Sequence, residues 1–135
     1  KMYFTDTGIA AFLLGFNSPA KLSHSPFFGP FWENFVVLEY LKRIRSQGKQ
    51  HRMWFWRTRT GEEIDLIIEH SGTPMAIECK STERPGEKDI RNLKSFAGHI
   101  KSDVQSMVVC RTPRSYPLAD DIQAVPIKDF WEIIE

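Results

Sequence analysis

Residues 57–81 read RTRTGEEIDLIIEHSGTPMAIECKS, and three charged groups stand where an apolar run should continue: Asp65 in one run, Glu78 and Lys80 in the next. Strand interiors seldom hold charges without a partner or a purpose. Side chains alternate along a strand, so Glu78 and Lys80 share a face with Ala76, while Met75, Ile77 and Cys79 share the other. Asp65 lies one hairpin away, and if the two strands lie close its carboxylate comes near Glu78. Two anions so placed repel each other and are costly to half-bury. A divalent cation removes that cost. Carboxylate oxygens, with the remaining positions left to water and a substrate phosphate, are the usual surroundings of Mg²⁺. A metal held this way acidifies its water and offsets charge on a phosphoryl group. Lys80 is placed to orient that water or to balance the developing charge. Glu33 is a third carboxylate that can complete the cluster, directly or through water.

Each charge also has a plainer explanation. Glu33, near a helix start, complements the helix dipole. Asp65 can pair with Arg57 or Arg59, and Lys80 with Glu63 or Asp65, as cross-strand salt bridges. Glu62 and Glu63 read as solvated or turn residues, although Glu63 shares a face with Asp65. Arg57, Arg59, Arg84, Lys88, Arg91 and Lys94 surround the cluster in sequence, and phosphate contacts are a typical task of such residues. A solvated helix face explains them nearly as well. Trp54 and Trp56 read as core side chains, with base stacking as the alternative.

The elements that must position these groups follow from pattern. Glu33 belongs to a helix in FWENFVVLEYLKRIRSQG, which Gly29 and Pro30 introduce and Gly48 leaves. At about 100° per residue, Glu39, Lys42, Arg43 and Ser46 make its wet face. Glu33 then falls beside Val37, Tyr40 and Ile44, pointing inward. Strand candidates over residues 52–58, 63–69 and 75–81 are joined by RTGE and HSGT, lengths suited to antiparallel hairpins. A helix over 88–100, with Ile90, Leu93, Phe96 and Ala97 as its apolar stripe, leads to a buried strand in QSMVVCR, and this spacing favours a parallel crossover. A short strand near 123–125 and a helix in KDFWEII close the chain. Ahead of all this, Thr5, Asp6 or Thr7 caps a helix over 9–14 within an N-terminal piece, 1–16, and residues 17–30 read as a connecting loop. The sum is one α/β domain over 1–135 with a mixed central sheet.

Composition narrows the partners. Eighteen basic against 17 acidic residues leave a net charge of +1, so any nucleic acid must be held by a local patch. No apolar run reaches the roughly 20 residues of a membrane span, and no secretory leader is recognisable, so a cytoplasmic location without membrane partners is the default expectation. Cys79 and Cys110 form no CxxC pattern and read as free, buried thiols. The four histidines lack metal-ligand spacing and read as solvated. Opening on Lys1 and passing at once into packed-looking MYFTDTGIAAFLLG, the chain reads as a fragment of a longer protein.

A helix glutamate, then EID on one strand and ECK on the next, followed by helix and buried strand, resembles the PD-(D/E)xK nuclease superfamily. More closely, YFTDTGIAAFLLG, GPFWENFVVLEYLKR, FWRTRTGEEIDLII and AIECKS look like the C-terminal domain of unknown function (number 4143) that follows an AAA-type ATPase module in many bacterial and archaeal proteins. The likeness covers most of the chain, and no motif position departs from it. It implies a restriction-endonuclease-like core of order αβββαβ and Mg²⁺- or Mn²⁺-dependent hydrolysis of DNA. Asp65 and Glu78 match the metal ligands, Lys80 the catalytic lysine and Glu33 the helix carboxylate. An ATPase domain in the same polypeptide is the implied partner, and an oligomer is compatible with it. Domains of this fold also serve without cleaving anything, so an inactive module that binds nucleic acid or protein and positions its ATPase is the alternative expectation.

Overall fold

The computed structural model describes residues 1–70, 72–100 and 103–134. Ser71 of the second hairpin turn and the side chain of His70 fall outside that description. In chain order the elements are α1 (Thr7–Leu13), α2 (Pro19–Ser23), α3 (Phe28–Ser46), β1 (Met53–Arg57), β2 (Glu63–His70), β3 (Thr73–Cys79), α4 (Glu87–His99), β4 (Gln105–Cys110), β5 (Tyr116–Ala119), β6 (Ile122–Pro126) and α5 (Ile127–Ile133). Asp6 caps α1 by accepting from the Ile9 N–H at 3.0 Å. The 17–30 segment is not all loop. Ser18 caps a helical turn that Pro19 opens, and α3 begins at Phe28, placing Gly29 and Pro30 inside its first turn. Proline and glycine there mark a helix entrance rather than a break.

The six strands order as β1-β2-β3-β4-β6-β5. The first three form the expected antiparallel meander, β3 runs parallel to β4 across α4, and β6 runs parallel to β4. Strand β5, which the sequence pattern did not reveal, pairs antiparallel with β6 at the edge. It carries Pro117, which an edge strand tolerates.

Each face of the sheet carries its own core. Leu66, Ile68, Met75, Ile77, Cys79, Met107 and Val109 pack with α3 and α5 through Val36, Val37, Tyr40, Ile44 and Phe130. Ile64, Ile67, Ala76, Val108 and Cys110 pack on the other side with Ile90, Leu93 and Phe96 of α4. Met75 through Cys79 are all buried, as expected for a strand covered on both faces. Cys79 and Cys110 are free and sit on opposite faces, which separates their thiols. Trp56 packs edge-on to Phe96, but Trp54 is 46% exposed, which corrects its expected core position. It stands opposite Ile67 on β1, the edge of the sheet, where no further strand covers its outer side.

Candidate functional site

The β2–β3 ladder runs from His70↔Thr73 to Leu66↔Ile77. Beyond that pair a side chain takes over from the backbone, because the Cys79 N–H donates to Asp65 Oδ2 at 2.9 Å. On its other edge β2 is irregular. Trp54 stands opposite Ile67 and Trp56 opposite Ile64, so Asp65 and Leu66 together face Phe55. This is a β-bulge, a feature that re-aims side chains. It puts Asp65 on the same side as Leu66, toward α3, where Glu33 stands.

The charges gather in two groups. On the α3 side, the Lys1 ammonium donates to Glu33 Oε1 and Asp65 Oδ1, each at 2.8 Å, and also pairs with Glu63 Oε1. Tyr3 Oη donates to the same Glu33 oxygen at 2.8 Å. Burial alone would lower the Lys1 pKa, but hydrogen bonds to Asp65, Glu33 and Glu63 outweigh it and raise it. Glu33 therefore does face inward, and Glu63 joins it. Asp65 is paired with Lys1 rather than with Arg57 or Arg59, and Arg57 instead approaches Glu63 at 3.6 Å.

Glu78 belongs to the second group. Ile77 and Cys79 face α3, so Glu78 leaves the sheet toward α4 together with Ala76. Its carboxylate accepts from Lys80 Nζ at 2.6 Å through Oε1, while the buried Oε2 has no partner. The Lys80 backbone N–H continues the β3–β4 pairing by donating to Val109 O at 3.0 Å. Lys80 is thus paired with Glu78 rather than with Glu63 or Asp65. Burial first, and then the charge of Asp65, lift the Glu78 carboxyl to about 7, against the pull of Lys80 and Lys1. Asp65 and Glu78 leave opposite faces of the sheet, yet they act on each other electrically where β2 and β3 part.

That displacement fixes a pH dependence. An unfolded Glu78 ionises first, so stability falls as pH rises from the ordinary carboxylate range toward 7 and then levels off. Glu78→Gln is expected to stabilise the protein by on the order of 3 kcal/mol above about pH 7, a gain that fades to nothing near pH 4. Urea unfolding of both proteins across this range checks it, and a gain that is independent of pH would contradict it.

Three further groups of residues frame the site. Arg84 and Lys88 lie exposed at the start of α4, with Arg91 and Lys94 exposed along it. Asp89 of the same turn acts on Lys80, so this helix end adjoins the β3 terminus. Arg57 and Arg59 lie on the exposed β1–β2 hairpin. A cavity of about 230 Å³ runs beside Asp65 and one of about 490 Å³ beside Glu33, with Lys1 and Tyr3 in both walls.

Among the described residues, no group of three His, Cys, Asp or Glu side chains stands ready-made for a metal. The convergence of Glu33, Glu63 and Asp65 is organised by an ammonium instead. The donor set nevertheless suits a hard cation: oxygens only, already gathered on one positive centre, with a neighbouring buried carboxylate oxygen that lacks a partner. Among the described residues no helix is long and apolar enough to cross a membrane. Local spacing gave no sign of Lys1, which is 64 residues from Asp65 in sequence.

Two kinds of similarity are found. The family model described as "Domain of unknown function (DUF4143)" matches residues 28–130. Uncharacterized protein Rv2008c of Mycobacterium tuberculosis and uncharacterized protein Mb2031c of Mycobacterium bovis are each 31% identical to the chain over 126 residues, 93% of its length. The chain spans 27% of the length of these curated relatives.

Proposed function

Given that the chain belongs to the DUF4143 family, we propose that it is a restriction-endonuclease-like domain of the PD-(D/E)xK kind that hydrolyses DNA phosphodiester bonds with Mg²⁺ or Mn²⁺. The observation that carries this proposal is Glu78: 5% exposed, one oxygen unpartnered, beside the charge of Asp65, with Lys80 within 2.6 Å. A structural salt bridge does not need the charge of a second carboxylate raising the first. Asp65, Glu78 and Glu33 would hold the metal, which when bound supplies an acidified water and charge neutralisation at the phosphoryl group. Lys80 would steady the attacking water and the developing negative charge, its own pKa kept raised by the Glu78 carboxylate despite burial. Arg84, Lys88, Arg91 and Lys94, with Arg57 and Arg59, would take backbone phosphates. The resemblance adds to the proposal an ATPase domain in the same polypeptide, acting in the cytoplasm, for which relatives several times longer than the chain leave room.

One observation favours the second reading, an inactive module of the same fold that binds nucleic acid or protein. The ammonium of Lys1 already neutralises part of the carboxylate cluster. Nicking of supercoiled plasmid with and without chelator, paired with calorimetric titration of Mn²⁺, separates the two. The first reading expects one Mn²⁺ site and chelator-sensitive nicking. DNA retention without Mn²⁺ heat or nicking would establish the second.

A further inference from the structure

Three carboxylates from two elements, Glu33 of α3 and Glu63 and Asp65 of β2, meet on one nitrogen. Without a cation such a set repels itself. The ammonium that resolves the conflict comes from a residue 32 positions before Glu33 and 64 before Asp65, on a segment with its own anchors. Besides Tyr3 on Glu33, the Phe4 N–H donates to Asn34 Oδ1 at 2.8 Å, and Asn34 Nδ2 donates back to Phe4 O at 3.0 Å. These bonds fix the register of the segment on α3, so the lysine arrives where the carboxylates are.

The occupant is an imperfect match in charge. Arg57 answers part of the Glu63 charge at 3.6 Å, which leaves Glu33 and Asp65 to share one ammonium, and the buried Glu78 Oε2 lacks a partner. Apart from its hydrogen bonds the segment is held by Tyr3, which packs against the α3-side core, while Met2 is 99% and Phe4 55% exposed. Elements with little buried apolar surface open at low free energy. The cavities on either side of it leave room for the Lys1 side chain to withdraw.

We infer that Lys1 is a built-in counter-ion that competes with a divalent cation for Asp65 and Glu33, so that cation binding and docking of the 1–4 segment exclude each other. The inference rests on the metal-binding part of the function proposed above. The Asp65 Oδ1 and Glu33 Oε1 atoms cannot serve ammonium and metal alike, so the free energy of docking Lys1 is subtracted from that of binding the cation. Coupling of this kind is reciprocal: whatever holds the segment away from α3 raises cation affinity, and the cation loosens the segment.

Lys1→Met keeps the aliphatic stem and removes the charge. Its expected behaviour is Mn²⁺ binding about tenfold tighter than wild type by calorimetry, with a lower Tm in chelator and a larger Tm rise on adding Mn²⁺. In the unaltered protein, Mn²⁺ is expected to increase acylation of the Lys1 side chain, read by mass spectrometry. Equal affinity in the two proteins, with no change in acylation, overturns the inference while leaving the metal site standing. Weaker binding in Lys1→Met also overturns it, making Lys1 a positioning residue that assembles the carboxylates. Binding by Lys1→Met but not by wild type supports the inference and sinks the nuclease reading, since the ammonium then replaces the metal for good. Binding by neither protein overturns both.

Discussion

Asp65→Asn is expected to abolish Mn²⁺ binding and chelator-sensitive nicking while leaving the protein folded. Asparagine keeps an oxygen that can accept from the Cys79 N–H, so the end of the β2–β3 ladder stays satisfied. What disappears is the negative charge on which the Lys1 ammonium, the lift of the Glu78 carboxyl and the proposed metal all depend. With that charge gone, the Glu78 carboxyl should titrate lower than its present value of about 7, because its second-largest upward influence has been removed. Calorimetry and a carboxyl titration by NMR therefore report on the same substitution independently. Asp65→Ala is the harsher variant, since it also leaves the Cys79 N–H without its acceptor, at a cost of about 1–3 kcal/mol. Retained Mn²⁺ affinity in Asp65→Asn would rule Asp65 out as a ligand.

Lys80→Met is expected to lower nicking by roughly 10²- to 10³-fold, the usual loss when one charge-stabilising group is taken from a reacting centre. Its effect on the fold should be small. Lys80 lies just past the end of β3, its side chain is 32% exposed, and its backbone bond to Val109 is untouched by the substitution. Glu78 then loses the ammonium that restrains its upward displacement, so its carboxyl should climb above 7. Protonation limits the stability cost, but it also makes proton and metal compete more strongly for the same oxygen. Mn²⁺ affinity in Lys80→Met should accordingly be weaker near neutrality and recover as pH rises, whereas nicking should not recover. Plasmid nicking and calorimetry at two pH values separate these effects. A variant that nicks at the wild-type rate would reduce Lys80 to a salt-bridge partner of Glu78.

Much of the fold was legible in local pattern because its signals are local. The apolar stripe Ile90, Leu93 and Phe96 marks α4, the run Met75, Ala76, Ile77 and Cys79, broken only by Glu78, marks β3, and Asp6 caps α1. Glu33, Asp65, Glu78 and Lys80 stood out for the same reason, as charges that interrupt an apolar period, and Glu33 could be turned inward by counting 100° per residue. What escaped was weak or non-local. Strand β5 is four residues of mixed character containing a proline, and it becomes a strand only because β6 supplies the ladder. Trp54 has the hydrophobicity of a core residue, but only sheet order shows that β1 is an edge.

The charged site divides along the same line. Residue types and strand period alone determined that an aspartate and an Glu-x-Lys strand stand one hairpin apart, that Glu78 and Lys80 share a face, and that some cation must answer for the carboxylates. Tertiary structure alone decided where each charge goes: the bulge that turns Asp65 toward α3 while Glu78 looks toward α4, and the identity of the cation on the α3 side, Lys1. A side chain's period is set by the bonds of its own backbone, whereas a bulge needs a partner strand to be counted against. An ammonium that meets an aspartate 64 residues later does so only after the whole sheet has closed between them.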